Sequence, residues 1–224
     1  EAADTAGEGV EDAAEGTPAQ RTIRETVKHH FAVSACILQK DARIGKIIGF
    51  YSVVFAAHTL LFFYSQQYFA DLGYNKVQIS VIMLLVGGAS CLGALVSEKM
   101  YRWFGKKCLI PETVIIAGAI LCYGAGKAGV AIAALMCAGF ANAALYPIQS
   151  DSLNALIPSE QRATLISVDS MCFSIVMIVL FPLAGALADR WGLKTVLLLL
   201  GVILLLFLLT VFCIEKESFS SDHS

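Results

Sequence analysis

The sequence predicts an all-α integral membrane protein, a bundle of six transmembrane helices. Three observations predict it. The 224 residues are 57% hydrophobic and only 15% charged, where soluble domains are roughly half apolar and about a quarter charged. With a mean hydropathy of +0.71, the charge is also unevenly placed: it gathers in residues 1–46, in short clusters between long apolar runs, and near the C-terminus. Those runs have the roughly 20 residues that a helix needs to cross a hydrocarbon core of about 30 Å. They show no strand alternation, and in lipid a spanning segment must satisfy its own backbone groups, so they read as helices.

Taken in order, residues 1–20 are acidic, rich in Ala and Gly and without periodicity, the composition of a disordered linker. This stretch has neither the basic start nor the apolar core of a signal peptide. A first residue Glu1 in place of Met, followed by a linker, points to a fragment. Within 21–45, Ile23, Val27 and Phe31 recur every fourth residue among charged neighbours, which predicts a short amphipathic helix on the cytoplasmic surface. His29 and His30 fall on its polar face. The membrane domain covers 46–215, with spans at 47–70, 77–97, 108–126, 128–150, 163–188 and 195–214, and 216–224 form a cytoplasmic tail. Pro111 and Glu112 open the third span, and His58 and Asp169 interrupt the first and fifth. Ala89 with Gly93, and Gly139 with Ala143, are small residues four apart that allow helix backbones to approach closely.

Basic residues set the orientation. With the N-terminus inside, the cytoplasmic side carries Arg21, Arg24, Lys28, Lys40, Arg43, Lys46, Lys99, Arg102, Lys106, Lys107, Arg162 and Lys216, and the outside only Lys76, Lys127, Arg190 and Lys194. Both termini are therefore expected in the cytoplasm of a cell-membrane protein. The seven cysteines show no paired or metal-ligand spacing, which predicts free, buried thiols. No cofactor, metal or nucleic-acid site is indicated, and connections this short house no separate active site, so function has to lie within the bundle.

Three connecting segments carry motifs. The first runs from Gly93 through Glu98, Arg102 and Gly105 to Lys106 and Lys107, between spans two and three. The second, Gly185, Asp189, Arg190, Gly192 and Lys194, joins spans five and six. The third links spans four and five through Asp151, Asn154, Pro158, Ser159, Glu160 and Arg162 to Ser167. Here Pro158 ends one helix, Ser159 is placed to cap the next, and Arg162 is within reach of Asp151 or the helix-end carbonyls. Together these segments resemble the major facilitator superfamily, whose members carry a glycine, an acid, an arginine and basic residues in the tight loops between helices. Tyr101 stands where such a loop has its acid, and Glu98 is the nearest substitute. The resemblance covers 23–214 and implies the last six helices of a twelve-helix carrier, working by alternating access on a small-molecule substrate in contact with membrane lipid and with a missing N-terminal six-helix half. Proton-driven efflux is what the family implies.

Ionisable residues within a membrane cost several kcal/mol unless they face a cavity or a partner, which makes them functional candidates. His58 lies near the middle of the first span. Asp169 lies two turns inside the fifth, about 10 Å from Arg162 by helical rise. In a proton-driven carrier such groups take up a proton on one side and release it on the other. Tyr64, Gln67, Gln78, Asn142 and Gln149 are candidates to line the pathway, and Pro147 to kink the fourth span. Alternatives weigh less. An intramembrane protease would need a partnered Ser and His, but Ser90 lacks the Gly-x-Ser-x-Gly setting and His58 has no acid nearby in sequence. The membrane part of an ATP-driven exporter would have longer helices, and no phosphate loop is present. A non-transporting remnant or scaffold fits the same spacing.

Overall fold

The computed structural model describes residues 42–105, 109–123, 127–156 and 162–221. The linker, the amphipathic helix up to residue 41, Lys106, Lys107 and the Pro158–Glu160 turn lie outside these residues. Six helices follow one another: α1 (Ala42–Asp71), α2 (Lys76–Phe104), α3 (Leu109–Cys122), α4 (Ala128–Asn154), α5 (Arg162–Trp191) and α6 (Leu193–Ser221). Each apolar run corresponds to one helix, and this is a helical membrane bundle. Five of the helices are long and apolar enough to cross a membrane by length and composition.

The helix ends differ from the span ends for a physical reason. Charge limits what can lie in hydrocarbon but does not stop a helix, so α1 begins at Ala42, inside the segment assigned to the linker, and α6 continues to Ser221, inside the segment assigned to the tail. Ile44 and Ile48 carry the buried face of α1 through its charged first turns. α3 is the short one at 14 residues, about 21 Å by rise. Its Pro111 falls in the first turn, where a missing N–H is harmless. A capping box starts α2: Asn75 Oδ1 accepts from the Gln78 backbone N–H and Gln78 Oε1 from that of Asn75, both at 2.9 Å. Gly105 closes α2, and its N–H donates to the Tyr101 carbonyl. Between α5 and α6 one residue makes the break, Gly192 at φ 82°, a conformation that glycine adopts without the steric cost of a Cβ.

In the packing, α2 lies along α4 and α1 along α5, while α3 rests on α4 and α6, and α6 touches α1 and α5. Exchanging α1 with α4, α2 with α5 and α3 with α6 carries the α2–α4 pair onto α5–α1 and the α3–α4 pair onto α6–α1. These two pairings thus recur between the first three helices and the last three. At one end, Ile44 and Ile48 of α1 meet Leu153 of α4 and Leu165 and Val168 of α5. At the other, the Tyr68 hydroxyl of α1 donates to the Tyr123 carbonyl at 3.2 Å, with ring centroids 4.7 Å apart. Lys194 Nζ, from the start of α6, lies 5.9 Å from the Tyr68 ring. Large apolar residues cover the outside, among them Leu84 and Leu95 of α2 and Ile178 of α5, each more than 70% exposed, a surface that water would not tolerate.

The closest seam joins α2 to α4. A Cβ on Gly93 would collide with the Phe140 carbonyl oxygen and stand 2.9 Å from its carbon. A Cβ on Gly139 would come within 2.8 Å of Ser90 Oγ. One glycine of each small-residue pair anticipated in the sequence, Gly93 and Gly139, lies at this crossing. Below it, Ser97 Oγ donates to the Ala144 carbonyl at 2.7 Å, next to the turn weakened by Pro147. Replacement of Gly93 by alanine should force the two backbones apart and cost about 1–3 kcal/mol, read as a lower midpoint of thermal unfolding in detergent. Gly49→Ala, with open space around its Cβ, should leave the midpoint unchanged or raise it, and equal behaviour of the two variants would refute the seam.

Candidate functional site

Two recesses open in the bundle, between helices that the internal exchange relates. The first lies between α4 and α5 at the end where these helices are connected. It is lined by Tyr146, Gln149, Ser150 and Asn154 from α4 and by Leu165, Asp169 and Ser170 from α5. Gln149 is 1% exposed, and its Nε2 donates to Asp169 Oδ1 at 3.0 Å. The helical period explains the pairing. Gln149 continues the buried face Leu145–Ile148 of α4, and Asp169 adjoins Leu165 and Val168, which turn α5 inward. The carboxylate is half-buried, with an apolar floor beneath it, one neutral donor in contact and an opening on the other side. That is the setting of a group that binds a small cation or a proton.

The second recess lies between α1 and α2, with α4 behind it. His58 and Phe62 of α1, Met83, Val86 and Ser90 of α2, and Asn142 of α4 surround about 350 Å³. His58 Nε2 and Asn142 Oδ1 are buried without a hydrogen-bond partner among the described residues. His58 stands 13 residues before Asp71, the end of α1, about 20 Å by rise and so near mid-depth.

The candidates therefore separate. Asp169 is brought together with Gln149, and His58 with Asn142. Tyr64 lies in neither recess: it stacks on Phe181 at 5.3 Å and donates to the Phe181 carbonyl at 3.1 Å, linking α1 to α5, and the bare Gly185 Cα leaves room for its hydroxyl. Gln67 and Gln78 are engaged locally near helix ends, Gln67 with Asp71 at 2.7 Å and Gln78 in the α2 cap. Glu98 and Arg102 stand one turn apart on α2 at 4.0 Å, both exposed. Arg162, at the start of α5, and Asp151, near the end of α4, are both exposed. The buried state expected of the cysteines is likewise corrected. Cys91, Cys122, Cys137 and Cys172 are free, but Cys91 and Cys137 are exposed on the apolar exterior, where a thiol meets lipid as readily as it would a core.

Sequence reasoning passed over Glu112. An acid in a helix's first turn is expected at the surface, where it favours the positive end of the helix dipole. Here α3 is packed against α4 and α6, leaving Glu112 2% exposed and both its carboxylate oxygens without a hydrogen-bond partner among the described residues. Its only sequence signal was a charge placed directly before an uninterrupted apolar run. Deleting this unpaired group in Glu112→Leu should stabilise the fold by about 1–3 kcal/mol, seen as a higher unfolding midpoint; a lower one would mean that the carboxylate has a partner it needs.

Comparison with known proteins places these helices. Residues 113–222 match the model of the Major Facilitator Superfamily, a segment that takes in α3 after its first four residues and the whole of α4, α5 and α6. No curated protein and no solved structure matches the chain. The Asp169 recess and the connections on either side of α5 fall inside the matched segment, so the similarity to the Major Facilitator Superfamily of transporters takes in the candidate site.

Proposed function

We propose that the chain is the C-terminal half of a secondary carrier in the cell membrane, exporting a small solute by proton-coupled alternating access with both termini in the cytoplasm. The observation that carries the coupling step is Asp169, hydrogen-bonded to buried Gln149 inside the α4–α5 recess. A carboxylate exchanges its proton with water when a recess opens and holds it when water is excluded. Asp169 is the proton carrier in this reading, and Gln149 keeps its side chain aimed into the recess in either protonation state. The recess between α1 and α2, on the helix pair that the exchange relates to α4 and α5, supports alternating access, because openings on different helix pairs let one close as the other opens. The missing partner is an N-terminal six-helix half, which would enclose the pathway, and lipid would cover the apolar exterior.

The test is proton movement in energised membrane vesicles from cells that produce the protein with its N-terminal half. Neutral and charged aromatic solutes are added and collapse of the gradient is followed with a pH-sensitive dye. The native protein should relax the gradient with at least one solute, Asp169→Asn with none, and Gln149→Ala more slowly; full relaxation by Asp169→Asn would rule out this carboxylate. Orientation is read separately in intact cells. Cysteines introduced at Lys76 and Lys127, in a background freed of native thiols, should react with an impermeant maleimide, and one at Lys99 only after permeabilisation. The reverse pattern would invert the topology.

A further inference from the structure

The α1–α2 recess has features that go beyond a passage for protons. We infer that it is a binding site for an uncharged organic solute that carries a hydrogen-bond donor on an apolar body, an inference that rests on the carrier reading and names its class of substrate. The recess holds about 350 Å³, within the range of roughly 300–1,000 Å³ typical of small-molecule sites. Its polar groups sit on separate helices: His58 on α1, Ser90 on α2 and Asn142 on α4. Phe62, Met83 and Val86 supply the apolar wall, with Met83 able to adapt to irregular shapes.

Two features select the ligand. Asn142 Oδ1 is buried and accepts no hydrogen bond, and an orphaned buried acceptor keeps its desolvation cost until a donor arrives. A hydroxyl or amide N–H on the solute would meet it. His58 Nε2 is likewise buried and unpartnered, and a neutral imidazole ring offers one donor and one acceptor, so it complements the same hydroxyl from a second side. The second feature is the charge of the lining. Among the described residues no Asp, Glu, Lys or Arg borders this recess, so an ionic solute would surrender its hydration without a counter-charge, at a cost that a neutral one escapes. The Asp169 recess differs in this respect. The two openings thus divide the work, a carboxylate for the proton in one and a neutral polar cradle for the solute in the other.

The full chain, in nanodiscs of neutral lipid, is photolabelled with four probes built on one trifluoromethyl-diazirinyl-phenyl group: its benzyl alcohol, toluene, benzoate and benzylammonium forms. Labelled residues are located by mass spectrometry. The alcohol should mark Phe62, Met83 or Val86 roughly threefold to tenfold more than the hydrocarbon does, and excess benzyl alcohol should displace it. The two ionic probes should mark the recess at least about tenfold less than the alcohol. Asn142→Leu removes the acceptor and should erase the preference for the alcohol over the hydrocarbon. Should that variant not fold, Met83→Trp, which fills the recess from its apolar wall, should abolish recess labelling by both. Equal marking by ionic and neutral probes, or label confined to lipid-facing Leu84, Leu95 and Ile178, would overturn the inference. Selective labelling in a protein that fails the gradient test leaves the site standing and removes the carrier reading; an active carrier whose recess takes no label does the opposite.

Discussion

Close approach of α2 to α4 is the constraint on which the rest of the bundle depends. Lipid is as apolar as leucine, so helices within it are not driven together by the hydrophobic effect but held by contact and by hydrogen bonds between them. At Gly93 and Gly139 the side-chain bulk is absent, and backbone meets backbone or Ser90 directly. The Ser97 hydroxyl adds a bond to the neighbouring helix beside Pro147. Because α4 is drawn to α2 along one face, its other faces are free to receive α3 and to stand behind α1. Where Gly201 of α6 faces Leu121 of α3, the same device recurs, since a Cβ there would approach the leucine side chain to 2.8 Å.

Most polar side chains in this bundle are used locally. Thr59, Ser65, Ser80, Ser152, Ser174 and Thr210 each return a hydrogen bond to a carbonyl three or four residues earlier in their own helix, which neutralises a hydroxyl without demanding a partner. Against that background the groups that point elsewhere carry the chemical interest. Gln149 and Asp169 bond across a gap between helices, while His58, Asn142 and Glu112 keep buried atoms unpaired. Burial without a partner is costly, and Gln149, Asp169, His58 and Asn142 line the two recesses.

The helix pairings that recur between the first three helices and the last three also order the recesses. Each recess opens between a central helix, α1 or α4, and the helix that follows it, α2 or α5. Asn142 of α4 also borders the α1–α2 recess. α1 meets α4 and α5 through hydrophobic contacts at one end of the bundle and the C-terminal end of α3 through the Tyr68–Tyr123 pair at the other. Glu112 lies on the flank, at the start of α3, outside this arrangement.

The sequence by itself determined the membrane class, the number of helices and their approximate positions, because lipid solubility demands apolar runs of spanning length and imposes helical hydrogen bonding on them. It also singled out the small-residue pairs and the candidates Asp169 and His58, since ionisable groups and clustered small residues are rare enough in such runs to be noticed. Only the tertiary structure decided the partnerships. Gln149 faces Asp169, and Asn142 faces the recess of His58, because of how α4 is rotated between its neighbours, and no periodicity along one helix specifies the face another helix presents. Gln67, Gln78 and Tyr64 looked equally eligible in sequence but fell to a helix end, a cap and a seam. Glu112, at the edge of its run, is buried in the folded bundle, a placement that no pattern along α3 specifies.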